Sequence, residues 1–233
     1  MTETVAGRVL VVDDDLTVRD VVRRYLELGG HQVSLADNGE DALRWIAEHE
    51  PDLVVLDLML PGMDGLEVCR RLRERSAIPV VMLTALGEEE NRIAGLQLGA
   101  DDYVTKPFSP RELALRVSSV LRRARTPATQ SGPRELIDGD LAPDVAAHKA
   151  SLRGSELSLT TREFDLLTFL MSHPGEAFTR EQLLERVWGW NFGDQSTVTV
   201  HVRRLREKIE TTPATPKRIV TVWGVGYRYE LQR

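Results

Sequence analysis

The first half of the chain alternates short apolar runs with longer segments of helical periodicity. Arg8-Val-Leu-Val-Val12 is a β-branched run without polar alternation, the pattern of a strand buried on both faces. Val18, Val21, Val22 and Tyr25 then recur at helical spacing. His31–Leu35 predicts a second strand, and Glu40–His49 a helix with Ala42, Leu43, Ile46 and Ala47 inward. Leu53–Asp57 predicts a third strand, followed after Pro61-Gly62 by a helix through Leu66, Val68, Cys69 and Leu72. Pro79–Leu83 is a fourth strand, Asn91–Leu98 a helix ended by Gly99, and Asp102–Thr105 a fifth strand. Ser109-Pro110 opens a last helix through Leu113, Leu115, Val117, Val120 and Leu121. Five β-α units predict an α/β fold, a doubly wound parallel sheet with helices on both faces.

The pattern changes after 124–134, a polar stretch with two prolines and a glycine that reads as a linker. Leu136–Leu141 and Ala150–Leu152 predict short strands. Thr160-Thr-Arg-Glu163 and Thr179-Arg-Glu-Gln182 are capping boxes, each opening an apolar helix. In a third helix over 196–210, Val198, Val202, Leu205 and Ile209 form a buried stripe. At 100° per residue, Val200, Arg203, Arg204 and Glu207 point to the opposite side, so an exposed valine is expected beside paired arginines. The run from Arg218 to Tyr229 predicts a hairpin bent at glycine. The expected domains are 1–123 and 135–233.

Composition narrows the function classes. No stretch is apolar enough for a membrane span, and no leader pattern precedes Arg8. With Cys69 as the single cysteine, no internal disulfide can form and a cytoplasmic protein is expected. The net charge is −6. Residues 196–233 nevertheless hold 8 basic and 3 acidic side chains, or +5, so one face at the end of the chain suits a polyanion.

Polar residues gather where the predicted strands of the first half end: Asp13 and Asp14, Asp57, Thr84, and Lys106. In doubly wound folds the site lies beyond these carboxyl ends. Three carboxylates brought together repel, and a hard divalent cation such as Mg2+ offsets the cost. One of them can act as nucleophile and form an acyl phosphate, with the metal and the lysine neutralising the transferred group.

Val-Leu-Val-Val-Asp13-Asp14-Asp15, Leu56-Asp57-Leu-Met-Leu-Pro61, Leu83-Thr84-Ala85 and Asp102-Tyr103-Val-Thr-Lys106-Pro107-Phe108 resemble the receiver domain of two-component response regulators. The resemblance covers about 8–123 and implies a flavodoxin-like five-stranded sheet. It implies that Asp57 is phosphorylated by a sensor histidine kinase. It implies that Asp14, Asp57 and the Met59 carbonyl hold Mg2+, with Asp13 acting mainly through a metal-bound water. Lys106 would contact the phosphoryl group ahead of a cis bond to Pro107, and Thr84 and Tyr103 would form the switch. A rival reading sets Asp13-Asp14-Asp15-Leu-Thr17 beside haloacid-dehalogenase-like phosphatases, with Asp13 as nucleophile. It leaves Asp57-x-x-x-Pro-Gly unexplained and puts Lys106 after the late acidic pair instead of before it.

Leu159–Leu167, Val198–Arg206 and the closing hairpin are similar to the winged-helix DNA-binding domain of the OmpR/PhoB subfamily, over about 135–231. That α+β domain implies double-stranded promoter DNA as a partner. Val200 and Arg204 would meet bases, and His201, Arg203, Thr221 and Tyr227 the phosphate backbone, with Trp188 near it. Trp223 departs from the arginine often found at that wing position, which puts minor-groove electrostatic readout there in doubt. The subfamily also implies intersubunit pairs in a phosphorylated homodimer: Arg92 with Glu112, Asp102 with Arg116, and Asp101 with Arg123. The loop over 189–195, with Trp190 and Phe192, would face RNA polymerase or pack locally. The whole reads as a non-enzymatic, phosphorylation-switched transcription regulator. A protein-only switch whose second domain binds no DNA is the lesser alternative.

Overall fold

The computed structural model describes residues 6–85, 89–125, 136–189 and 195–232, without the side chains of 89–93 and 123–125. The chain divides into two compact units, 1–125 and 126–233.

In the first unit, β1 (Arg8–Val12), β2 (Gln32–Ala36), β3 (Leu53–Asp57), β4 (Val80–Ala85) and β5 (Asp102–Lys106) form one parallel sheet in the order β2-β1-β3-β4-β5. Odd-numbered Val9, Val11, Leu53, Val55, Val81 and Leu83 pack with Val22 and Leu26 of α1 (Leu16–Leu28) and Leu113, Val117 and Leu121 of α5 (Pro110–Arg125). Successive strand residues point to opposite faces, so Leu10, Val12, Val54, Leu56 and Met82, all buried, leave by the other side. That side belongs to α2 (Gly39–His49), α3 (Gly65–Arg73) and α4 (Glu89–Leu98). One inward assignment is corrected: Ala47 is exposed. On α5, Leu115 keeps 64% of its surface because it lies about 200° around the helix from Leu113. Tyr25 is likewise exposed, its place in the inner stripe taken by Leu26.

In the second unit, β6 (Leu141–Asp144), β7 (Lys149–Leu152) and β8 (Ser155–Leu157) make an antiparallel sheet. The predicted strand over Leu136–Leu141 is corrected: the strand begins at Leu141. Gly139, at φ +61°, turns the chain, and the Asp138 carboxylate instead accepts hydrogen bonds from the Tyr229 hydroxyl (2.9 Å) and the Gln232 amide (2.6 Å). Both capping boxes form, opening α6 (Thr161–Met171) and α7 (Arg180–Leu183), which continues as a π turn over Leu184–Trp188. α8 (Ser196–Ile209) follows. Strand β9 (Ala177–Thr179) and the hairpin β10 (Ile219–Val222) and β11 (Gly226–Tyr229) form a sheet in the order β10-β11-β9. Val198, Val202, Leu205 and Ile209 enter the core with Phe164, Leu167, Leu184 and Trp188, as their spacing predicts. No helix among the described residues is long and apolar enough to cross a membrane.

Candidate functional site

Sheet register assembles the polar rim of the first unit. Asp57 pairs with Leu83, Thr84 with Thr105, and Ala85 with Lys106, so three neighbouring strands end within a residue of one another. Lys106 Nζ donates to Asp13 Oδ2 at 2.8 Å and to Asp57 Oδ2 at 2.9 Å. Asp13 and Asp57 are buried, while Asp14 is exposed at the mouth. One ligand oxygen from each of the three lies within 4.8 Å of the others. Asp15 takes no part, because its carboxylate caps α1 through the Thr17 and Val18 amides. The loop after β3 doubles back so tightly that a Cβ on Gly65 would lie 2.2 Å from the Asp57 carbonyl oxygen. Glycine at 65 therefore lets the phosphoacceptor candidate sit against the start of α3.

Burial lifts the Asp57 carboxyl above the ordinary aspartate range, with the Asp13 charge adding, against the pull of Lys106. For Lys106 burial works downward, but its hydrogen bonds to Asp13 and Asp57 outweigh it, and the ammonium holds its proton more firmly than a free lysine. Thr84 is 1% exposed, and its Oγ1 has no hydrogen-bond partner among the described residues. Tyr103 is buried too. The Lys106–Pro107 peptide is cis, as the resemblance implies. A set of hard carboxylate oxygens, one of them open to solvent, is the donor chemistry that suits a divalent cation keeping several waters.

The charged residues assigned to intersubunit pairing are largely engaged within the chain. Arg116 reaches Asp102 at 3.0 Å and Glu112 at 2.8 Å. Asp101, fully buried, accepts from Arg73 at 3.0 Å and from the Val80 amide at 2.9 Å. A buried carboxylate must be paired, and within the single chain β5 begins beside both arginines, which supply that pairing. The side chains of Arg92 and Arg123, and Trp190 and Phe192, lie outside the described residues.

On α8 the expected exposure is corrected. Val200 and Arg204 retain 7% and 8% of their surface, and His201 and Trp188 none. The Arg204 guanidinium is ion-paired at 2.9 Å with the buried Glu163 of α6. The other Glu163 oxygen takes Lys208 at 2.6 Å and the Thr160 amide at 2.8 Å. His201 Nδ1 meets the Thr197 carbonyl, and its ring stands edge-on to Trp188 at 5.1 Å, so both support the helix instead of facing solvent. Arg203 is exposed and pairs with Glu207.

A second polar cluster escaped the periodicity argument. The Tyr227 ring centroid is 5.0 Å from the guanidinium carbon of Arg180 and 5.6 Å from that of Arg206. Arg180 donates to Thr199 Oγ1 (3.1 Å) and to the Tyr227 hydroxyl (3.3 Å), and Arg206 donates to Thr221 Oγ1 (2.9 Å). Neither guanidinium forms an ion pair among the described residues. Arg180 also sits in the first turn of α7, where the helix dipole disfavours a cation. That misplacement was the legible signal. The cluster joins α7, α8 and the hairpin through two guanidiniums.

Comparison with known proteins follows the same division. Residues 9–118 match the model of the response regulator receiver domain, and 154–229 that of the C-terminal domain of transcriptional regulatory proteins. The transcriptional regulatory protein ResD of Bacillus subtilis (strain 168) is 46% identical over 237 residues, covering 99% of both chains. A solved RitR mutant superposes with a TM-score of 0.76 at 26% identity, over 97% of this chain and 99% of that one. The Thermotoga maritima response regulator DrrB, an OmpR/PhoB homologue, gives 0.51 at 37% identity, over 96% and 98%. Two domain models matched in this order, and a relative aligned end to end, place the chain in the OmpR/PhoB family of two-component response regulators.

Proposed function

We propose that Asp57 is the phosphoacceptor and that its phosphorylation by a sensor histidine kinase drives dimerisation and promoter binding. The observation that carries this is the Lys106 ammonium, bridging two buried aspartates at the ends of β1 and β3 at 2.8 and 2.9 Å. An Asp57 oxygen attacks phosphorus, the new P–O bond forms as the donor's P–N bond breaks, and the leaving imidazole takes a proton. Asp13, Asp14, Asp57 and the Met59 carbonyl would hold Mg2+, which when bound offsets charge on the transferred group. The Lys106 ammonium would offset the same charge, and the Thr84 hydroxyl would donate to a phosphoryl oxygen. Tyr103 is the second switch residue. Hydrolysis of the acyl phosphate resets the protein, and small phosphodonors replace the kinase in vitro.

In the second domain, 135–233 after a linker at 124–134, Val200 and Arg204 are the base-reading candidates by position, with Glu163 holding the guanidinium by one edge. Arg203, Thr221 and Tyr227, joined by Arg180 and Arg206, supply the phosphate contacts. A two-fold dimer doubles this surface and raises effective concentration on paired half-sites. The setting is the cytoplasm, and 189–195 is the candidate surface for RNA polymerase.

Incubation with acetyl phosphate and Mg2+ tests the phosphoacceptor. Intact mass should show one phosphoryl group on the wild type and none on Asp57→Asn. Label kept by the variant at Asp13 would transfer the nucleophile's role there and revive the phosphatase reading.

A further inference from the structure

We propose that Trp223 is a minor-groove wedge: an indole held at the hairpin tip that enters the DNA beside the half-site and reads how easily a base step opens. This deepens the DNA-binding reading above and rests on it.

Trp223 keeps 91% of its surface, whereas Trp188 is fully buried. Val225 beside it is 43% exposed. The tip is a built turn. The Val225 amide donates to the Val222 carbonyl at 3.0 Å, and Gly224 takes φ +76°, a conformation that tight turns assign to glycine. Below the turn, β10 and β11 pair in register from Val222↔Gly226 to Ile219↔Tyr229. The indole thus stands on a short, braced hairpin.

The surroundings choose the partner. Thr221, two residues before Trp223, accepts from Arg206, and Tyr227 opposite it touches Arg180. Both guanidiniums lack an ion pair among the described residues, and residues 196–233 carry +5, from 8 basic and 3 acidic side chains. An apolar tip rising beside two guanidiniums that form no ion pair among the described residues fits a polyanion with an apolar interior, which is stacked DNA.

The same cluster chooses the groove. It links Thr199 on α8 to Thr221 on the hairpin. A phosphate strand seated on it separates the groove that holds α8 from the groove that meets the tip. A helix fits the major groove, so the tip faces the minor groove. From Thr221 to Trp223 the strand advances about 7 Å. An indole has no charge with which to read a narrow A·T groove. Apolar side chains act there by inserting between base steps, most readily at pyrimidine–purine steps.

The test is selection from a random duplex library by the full-length, beryllofluoride-activated protein, with wild type, W223A, W223F and W223R compared. Wild type should enrich a core motif with a pyrimidine–purine step at a fixed flanking distance. W223A should keep the core, lose the flank preference and bind the selected duplex roughly tenfold or more weakly. W223F should retain part of the flank signal. W223R should shift the flank to A·T-rich sequence and steepen the salt slope by about one. 2-Aminopurine at the flanking step should brighten with wild type and not with W223A. A W223A profile and Kd equal to wild type, as a protein partner for the indole would leave them, overturns the wedge. Failure of wild type to enrich any motif overturns the DNA reading itself.

Discussion

Glu163 shows how one side chain ties local structure to a recognition surface. It closes the capping box of α6 and holds Arg204 and Lys208 of α8 while itself fully buried. Burial pushes its pKa up, but the two cations and the Thr160 amide outweigh that and hold it below the ordinary 4.5. The stabilisation is therefore complete above that value and fades as pH falls through the lower folded one. Glu163→Gln should cost about 3 kcal/mol at neutral pH. Urea unfolding from about pH 7 down to pH 3 should show the gap to wild type narrowing in acid. An equal gap throughout would mean that the ionised pair is not what stabilises. Asp13, Asp14, Asp57, Thr84 and Lys106 were legible in the sequence because each follows an apolar run that a parallel sheet must end at one rim. The burial of Arg204 was not legible, since its partner stands 41 positions away on a different helix and helical periodicity describes one helix at a time.

At the scale of elements, strands buried on both faces announced themselves, and β1 and β3 fall where the apolar runs stand. The first strand of the second domain did not. Leu136–Leu141 has strand-like composition, but the Asp138 carboxylate binds Tyr229 and Gln232 from the far end of the chain. The π turn over Leu184–Trp188 left no mark in the hydrophobic spacing either, because its core residues remain inward. The β9–β11 contact is more demanding than its three-residue length suggests. A Cβ on Gly226 would lie 2.1 Å from the Phe178 carbonyl oxygen, so the strands must part to admit one. Thr179, paired with Gly226, also caps α7 and so places Arg180. Gly226→Ala should destabilise the domain by roughly 1–3 kcal/mol, seen as a lower Tm, and should weaken DNA binding as Arg180 and Tyr227 separate. An unchanged Tm would show that the sheet edge yields freely.

For the whole molecule, each unit closes its own core, one around the five-stranded sheet and the other around α6 and α8. Two domains were legible from the Pro- and Gly-bearing stretch between two different periodicities. Limited proteolysis should cut first within 126–135 and release two fragments, each keeping its far-ultraviolet dichroism. First cleavage inside either fragment would argue against separate folding units.

The Thr84 hydroxyl is buried with its hydrogen-bonding capacity unused among the described residues. A buried polar group left so costs about 1–3 kcal/mol. A phosphoryl oxygen brought up to Asp57 would therefore meet a donor that gives up no described partner in turning toward it.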